Sequence, residues 1–358
     1  MILDRKVAIV LSIMILSSTM LLPASDAESG SFTVTDGYGN EYLFDGPVDD
    51  IVAIGRSVTS TIIGVGGLDR IVVCDSYSVK ETAMNEKETT LFRGLCKNHQ
   101  EGKVYADGDL TGSGRMELRK DIISAVNQDR FDSDKGVILI VSDEKMDFLN
   151  DLGRVIQWKQ SVSSFDEICG FAESISMICN GYVTKDVKDL RELPSLVDGH
   201  LTDSEKKSGL FVTYQNGIKV GRYGSLQSLL IRTAGGDTPV ESGGGTMETD
   251  LKGLLDSTPG SIVFTDMTFR DEDHYNELRD AVGDRTPIVI IDSVFDYHSI
   301  MNKDTVEEIC ISMYPGMTFD YKEETTDVPE DDGMTGILLF SGILSLSLIT
   351  LFLFLRRK

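Results

Sequence analysis

Short apolar runs alternate along most of the chain with segments whose apolar residues recur every three or four positions. This is the pattern of buried parallel strands separated by amphipathic helices. The runs are Ile51–Ile54, Ile71–Cys74, Val137–Val141, Val155–Trp158, Leu210–Tyr214, Ile262–Phe264 and Pro287–Ile291. Helical spacing joins Met116, Leu118, Ile122, Ile123 and Val126, and later Ile168, Ala172, Ile175, Cys179 and Tyr182. Further helices are predicted over Met146–Leu152, Leu226–Ile231, Asp250–Leu255, Glu272–Val282 and Asp304–Ser312, with Lys80–Glu101 as a loop or irregular helix. Alternation of this kind in both halves predicts an α/β protein of two Rossmann-like lobes.

The stretch from Phe32 to Ser78 carries the most information. Phe32–Thr35, the turn Asp36-Gly37-Tyr38-Gly39-Asn40 and Tyr42–Phe44 read as a β-hairpin. The strand Ile51–Ile54 ends at Gly55, and Ser57 and Thr59 are N-cap candidates for a helix through Ile62, Ile63 and Val65. Gly66-Gly67 stops that helix before the next strand. Between the lobes, Ser164 and Glu167 have capping-box spacing and Asn180-Gly181 closes the helix they open. A second linking helix through Val187, Leu190, Leu193, Leu196 and Val197 is expected to bend or break at Pro194.

The opening hairpin with its VTD, Gly and Glu, the strand entry IVAIG, the Ser/Thr-rich helix start and GVGGLDRIVVCDSYS together resemble the class III substrate-binding proteins of ABC importers. That family serves cobalamin, haem and ferric siderophores. The resemblance runs from about Phe32 to Met313. It implies two lobes joined by a helical backbone that permits small movements, a ligand held between them, and docking on a permease through one acid per lobe. The family's docking glutamates fall near Arg119 and Leu251 in this chain, so Glu117, Glu248 and Asp250 are the docking candidates instead.

The two ends add a topology. Arg5, Lys6, the apolar Val7–Leu22 and the small residues of Pro23–Ala27 read as a signal peptide. Gly336–Leu355 carries no charge and is followed by Arg356-Arg357-Lys358, which reads as a membrane span with a cytoplasmic tail. The organisation expected is a signal peptide over 1–27, an N-terminal lobe over 28–160 and linking helices over 161–205. A C-terminal lobe over 206–318, an acidic stalk over 319–335, a transmembrane helix over 336–355 and a tail over 356–358 complete it. The domain is then displayed at the cell surface.

Composition narrows the function. Lys and Arg number 34 against 58 Asp and Glu, a net charge of −24, which repels nucleic acid. Five cysteines outside a cell leave at least one thiol free, and Cys74 with Cys96 is the one pair read as a disulfide candidate. Histidine occurs only at 99, 200, 274 and 298, on scattered elements, so a bare zinc or manganese site is not expected and no cofactor is assigned. GxSxG and HExxH are absent, Gly112-Ser113-Gly114 lacks a phosphate-loop ending, and Gly243–Gly245 is a loop, so no enzyme activity is expected.

Ligands of α/β lobes gather beyond the C-terminal ends of strands. Lobe one then offers Arg56, Ser57, Thr59, Ser76 and Tyr77, and lobe two Tyr214, Gln215, Arg222, Tyr223 and Tyr297. Arg56 beside a helix start favours an anion, and Tyr with Arg suits a flat macrocycle or catecholate. Arg56 paired to a structural acid such as Asp75, and a plain surface hairpin around Tyr214–Tyr223, are the structural alternatives. The function expected is extracellular capture of a metal chelate (corrinoid, ferric siderophore or haem) for an ABC permease and its ATPase. The rival is a tethered surface receptor or adhesion module without a transporter.

Overall fold

The computed structural model describes residues 30–81, 84–201, 206–293 and 296–322. The segments read as signal peptide and membrane span, and nearly all of the stalk, lie outside the described residues. Among the described residues no helix is long and apolar enough to cross a membrane.

An antiparallel hairpin, β1 (Phe32–Thr35) and β2 (Glu41–Phe44), precedes lobe one. The lobe then runs β3 (Ile51–Ile54), α1 (Arg56–Gly64), β4 (Ile71–Cys74), α2 (Glu86–Gln100), α3 (Gly114–Asn127), β5 (Val137–Val141) and β6 (Arg154–Trp158). Its sheet is parallel throughout, in the order β4-β3-β5-β6. Every residue of β3 and β5 is buried, which explains why both read as unbroken apolar runs. Val52, Ile54, Leu118, Ile122, Phe131, Ile138 and Ile140 form the core beneath them. Each such side chain contributes roughly 1.5–3 kcal/mol by leaving water. From β3 the chain crosses first to β4 on one side and later to β5 on the other. The C-terminal ends of β3 and β5 are therefore the lobe's topological switch point.

Two antiparallel helices, α4 (Phe165–Asn180) and α5 (Lys185–His200), link the lobes. Lobe two contains β7 (Gly209–Tyr214), β8 (Ile218–Gly221), α6 (Leu226–Thr233), β9 (Thr246–Met247), α7 (Leu251–Ser257), β10 (Ile262–Thr265), α8 (Glu272–Val282), β11 (Ile288–Ile290) and α9 (Asn302–Met313). Its sheet order is β11-β10-β7-β8-β9; the first three strands are parallel and β8 runs against its neighbours. Linker helix α4 packs on α1 and β1, while α5 packs on α9. Helix α4 also touches α6, so it meets both lobes.

Several local expectations change. Ser57 and Thr59 are not caps: α1 begins at Arg56, behind Gly55 at φ 96, with no side-chain cap. So sharp a strand-to-helix turn needs the left-handed region, which glycine enters without strain. Lys80–Glu101 contains a regular helix, α2, opened by a full capping box in which Asn85 and Glu88 each accept the other's backbone N–H. Met146–Leu152 yields only a short 3₁₀ turn at Asp147–Leu149. Pro194 sits inside an unbroken α5, held by the buried Leu190, Leu193 and Val197. Ser164 does cap α4, but Glu167 turns its carboxylate to Ser163 N and Oγ instead of closing the box. Gly181, at φ 75, ends that helix as its sequence predicts.

The disulfide expectation is also corrected: all five cysteines are free and buried. Burial pushes the thiols of Cys169, Cys179 and Cys310 up to about 12, and that of Cys74 well above its usual value. Denatured, unreduced protein should therefore titrate five thiols with a chromogenic disulfide reagent, and native protein almost none on the same timescale. A count of three in the denatured, unreduced sample would restore the Cys74–Cys96 bond.

Candidate functional site

Both sheets turn their C-terminal edges toward the seam between the lobes. The same device builds each edge: a strand, an aspartate, then a 3₁₀ turn. In lobe one Asp75 follows β4 and accepts hydrogen bonds from Gly55 N at 2.7 Å, Tyr77 N at 3.0 Å, Ser78 N at 3.2 Å and Ser78 Oγ at 2.8 Å. Burial pushes its carboxyl above the ordinary range, with those hydrogen bonds pulling the other way. In lobe two Asp266 follows β10 and accepts from Thr213 Oγ1 at 2.6 Å and Thr268 N at 2.9 Å. Asp75 thus ties the end of β3 to the end of β4, and Asp266 ties β10 to β7.

Arg56 stands at the switch point. Its Nε and Nη2 donate to Tyr77 O at 3.2 and 3.0 Å, and its Nη1 pairs with Glu88 at 3.5 Å. The structural acid is Glu88, not Asp75. Beside it Tyr77 keeps 47% of its surface open, and Ser76 is half-buried. Ser57 and Thr59 face inward: Thr59 is fully buried, donating to Gly55 O at 3.1 Å and accepting from Ser78 Oγ at 3.2 Å. These two belong to the packing under the edge, not to its surface.

On the opposite edge the chain presents Tyr214 and the exposed Gln215 at the tip of the β7–β8 hairpin. The Tyr214 ring stacks on His274 at 3.7 Å. Arg222 and Tyr223 are elsewhere. The pairs Tyr214↔Ile218 and Val212↔Val220 send β8 back along β7, so Arg222 comes out at the N-terminal edge. There Arg232 covers the Tyr223 ring at 3.8 Å and reaches Thr238, whose neighbour Asp237 bridges Ser208 at the start of the sheet. Arg222 and Tyr223, named with Tyr214 as lobe-two candidates, therefore do not share its edge. The Arg222 Nε is buried without a hydrogen-bond partner among the described residues.

Tyr297 is built into the seam itself, its hydroxyl donating to Glu88 Oε1 at 2.9 Å. Burial and then Glu88 push the phenol well above its usual value, so it remains a donor. Asp296 is an exposed residue beside Tyr297. Desolvation first, then Asp266 and Glu88, push it up to about 6, with Arg56 opposing. Acidic groups therefore outnumber the cation here. Sequence reasoning missed Glu88, Asp266 and Asp296; the spacing Asn85-x-x-Glu88 and an aspartate directly after an apolar run were the available signals. Among the described residues no group of three or more His, Cys, Asp or Glu is placed to hold a metal ion.

Two of the three docking candidates, Glu117 and Asp250, lie at helix starts. Glu117 is exposed in the first turn of α3 and bonded to Lys120 at 2.7 Å. Glu248 follows β9 and pairs with Lys219; Asp250 caps α7 through Gly253 N at 3.0 Å. A separate cavity of about 590 Å³ under the hairpin is lined by Val34, Trp158, Phe171, Met177 and His298. The carboxylates on its wall are already committed, Asp36 to Tyr38, Asn40 and Tyr42, and Glu167 to Ser163.

No protein-family model matches the chain, and no curated protein sequence does either. Solved structures do match in fold. Helicobacter pylori CeuE in its nickel–histidine complex aligns with a TM-score of 0.54 at 12% identity, over 80% of this chain and 89% of that one. The TroA-like periplasmic binding protein FepB of Veillonella parvula gives 0.55 at 11%, over 81% and 92%. The periplasmic vitamin B12 binding protein BtuF of Vibrio cholerae gives 0.52 at 14%, over 75% and 97%. At such identities the likeness is one of fold: this chain has the two-lobed α/β fold of those periplasmic binding proteins.

His298 offers a test of how this region is assembled. Its imidazole is 2% exposed and packs edge-on against Phe171, and burial pushes its pKa down to about 4. The unfolded chain takes up a proton near the ordinary value of about 6.5, whereas the folded protein resists until about 4. Its contribution is complete above that ordinary value and is lost as pH falls through the window, about 2 kcal/mol of it between roughly pH 7 and pH 5. Raised carboxyls such as Asp75 push oppositely in any variant, so the readout is a difference. Urea unfolding of wild type and His298→Gln should show the smaller loss on acidification in the variant; equal losses would refute the assignment.

Proposed function

We propose that the protein is a non-enzymatic, extracellular solute-binding component of an ABC importer, which captures a metal chelate between its lobes. The observation that carries this reading is the paired edge: Arg56 and an exposed Tyr77 at the switch point of one lobe, Tyr214 and Gln215 at the matching edge of the other. Ser76 completes the contact set. Rings and amide tips of this kind suit a flat chelate, and the like fold of the proteins for vitamin B12 and for a nickel–histidine complex supports the class. Corrinoid, haem and ferric siderophore are the ligands to try. Absorption spectra of the purified ectodomain mixed with each should shift for one of them. Tyr77→Ala and Tyr214→Ala should then weaken binding roughly tenfold. No shift with any of the three, or full affinity in both variants, would sink the reading.

Delivery rests on docking of Glu117, Glu248 and Asp250 against the permease. One observation favours the rival reading, a surface receptor without a transporter: Leu251, where the family carries a docking glutamate, is buried in the core of lobe two. Charge-reversal at Glu117 and Glu248 separates the two, since only an importer component loses uptake while keeping affinity.

The signal peptide at 1–27 and the tether at 336–355 are part of the same proposal, with the domain held at the cell surface. Protease added to intact cells should release a fragment near the size of residues 28–318. A fragment cut only at the C-terminus, with Lys80 and Lys185 protected, would contradict that topology.

A further inference from the structure

The first turn of α2 carries neighbouring side chains that cross to lobe two. Lys87 Nζ donates to Ser293 Oγ at 2.6 Å and pairs with Glu308 at 3.4 Å. Glu88 does more: one oxygen closes the capping box on Asn85 N at 2.9 Å, and the other accepts the Tyr297 hydroxyl at 2.9 Å and pairs with Arg56 at 3.5 Å. Its side chain is 8% exposed. A carboxylate so buried depends on each of those partners, because removing a cation from it leaves charge uncompensated.

The segment it grips is embedded rather than draped. His298 packs on Phe171, Ile300 N donates to Thr61 Oγ1 at 3.4 Å, and an added Cβ at Gly64 would fall 2.6 Å from Ile300. Next to this a hollow of about 500 Å³, lined by Lys87, Thr90, Leu91, Asp292, Met301 and Asp304, leaves the seam partly unfilled. Beside the hollow, the polar ties of Lys87 and Glu88 add to the apolar packing that holds the segment.

We propose that Glu88 is a conformational relay: it couples Arg56, at the switch point, to the strap Tyr297–Met301, through which lobe two is anchored in lobe one. A group that draws Arg56 away from Glu88 loosens the strap, and by reciprocity a loosened strap frees Arg56. The coupling needs no ligand; only its use during capture rests on the binding-protein reading.

Hydrogen exchange on the full-length, ligand-free chain tests it. Arg56→Ala should speed exchange of the amides from Tyr297 to Met301 by roughly tenfold while leaving those of β5 unchanged. Arg56→Lys, a milder variant that keeps a cation, should give a smaller change in the same amides. In a Glu88→Gln background the effect of Arg56→Ala on the strap should vanish. Strap exchange unaltered by Arg56→Ala, or altered equally in the Glu88→Gln background, would overturn the relay. A failed chelate titration would leave this result untouched, so the two readings fall separately.

Discussion

The buried carboxylate of Asp75 is the contact on which the rest of lobe one's edge depends. It accepts from three backbone amides and a hydroxyl around the end of β3 and the start of the 3₁₀ turn. One of those amides belongs to Gly55, whose positive φ turns the chain abruptly from β3 into α1. The turn puts Arg56 over the Tyr77 carbonyl, and that clamp in turn presents the Tyr77 ring. An unpaired ion at this depth is strongly unfavourable, so the hydrogen bonds and the burial only make sense together. Asp266 repeats the arrangement in lobe two with a less buried carboxylate, and the two lobes thereby acquire facing edges by the same local chemistry.

Electrostatics sets the character of the seam. Arg56 pairs with Glu88 and feels Asp296, so its charge is already engaged inside the protein. The isolated cation that a sequence reading pictures at a helix start is thus part of a network. Loss of Arg56 removes the ion pair with Glu88 and two hydrogen bonds to the Tyr77 carbonyl, whereas Tyr77 and Gln215 are exposed residues at the two edges.

The alternation of apolar runs and helical stripes was legible, because β3 and β5 are buried along their whole length and β7 up to its last residue, so the three read as mostly apolar runs. The linking helices were legible for a similar reason: Ile168, Ala172, Ile175 and Cys179 share one buried face, and Gly181 terminates it. What escaped notice lacked an apolar signature. Helix α2 buries only Glu88, Phe92, Leu95 and Cys96 out of fifteen residues, so its charged surface masked its period. The placement of Arg222 depended on a hairpin whose turn, Asn216-Gly217, reverses the strand; proximity in sequence to Tyr214 suggested a shared edge that the reversed register denies. Pairings across the seam, such as Tyr297 with Glu88, join residues about 200 positions apart, which no local pattern encodes.

The five buried thiols carry a consequence for how the chain comes to be folded. In the finished structure they are shielded and held protonated, so oxidants find little thiolate to attack. Before folding, the same side chains are ordinary, reactive and unpaired. A chain that folds in an oxidising compartment therefore runs a race in which burying β4, α2, α4 and α9 must outpace random disulfide formation. Order of folding, rather than final stability, is then the quantity under pressure: Cys179 is sealed only when α4 packs beside Gly67 on lobe one, and Cys74 only once β3 and β4 have paired.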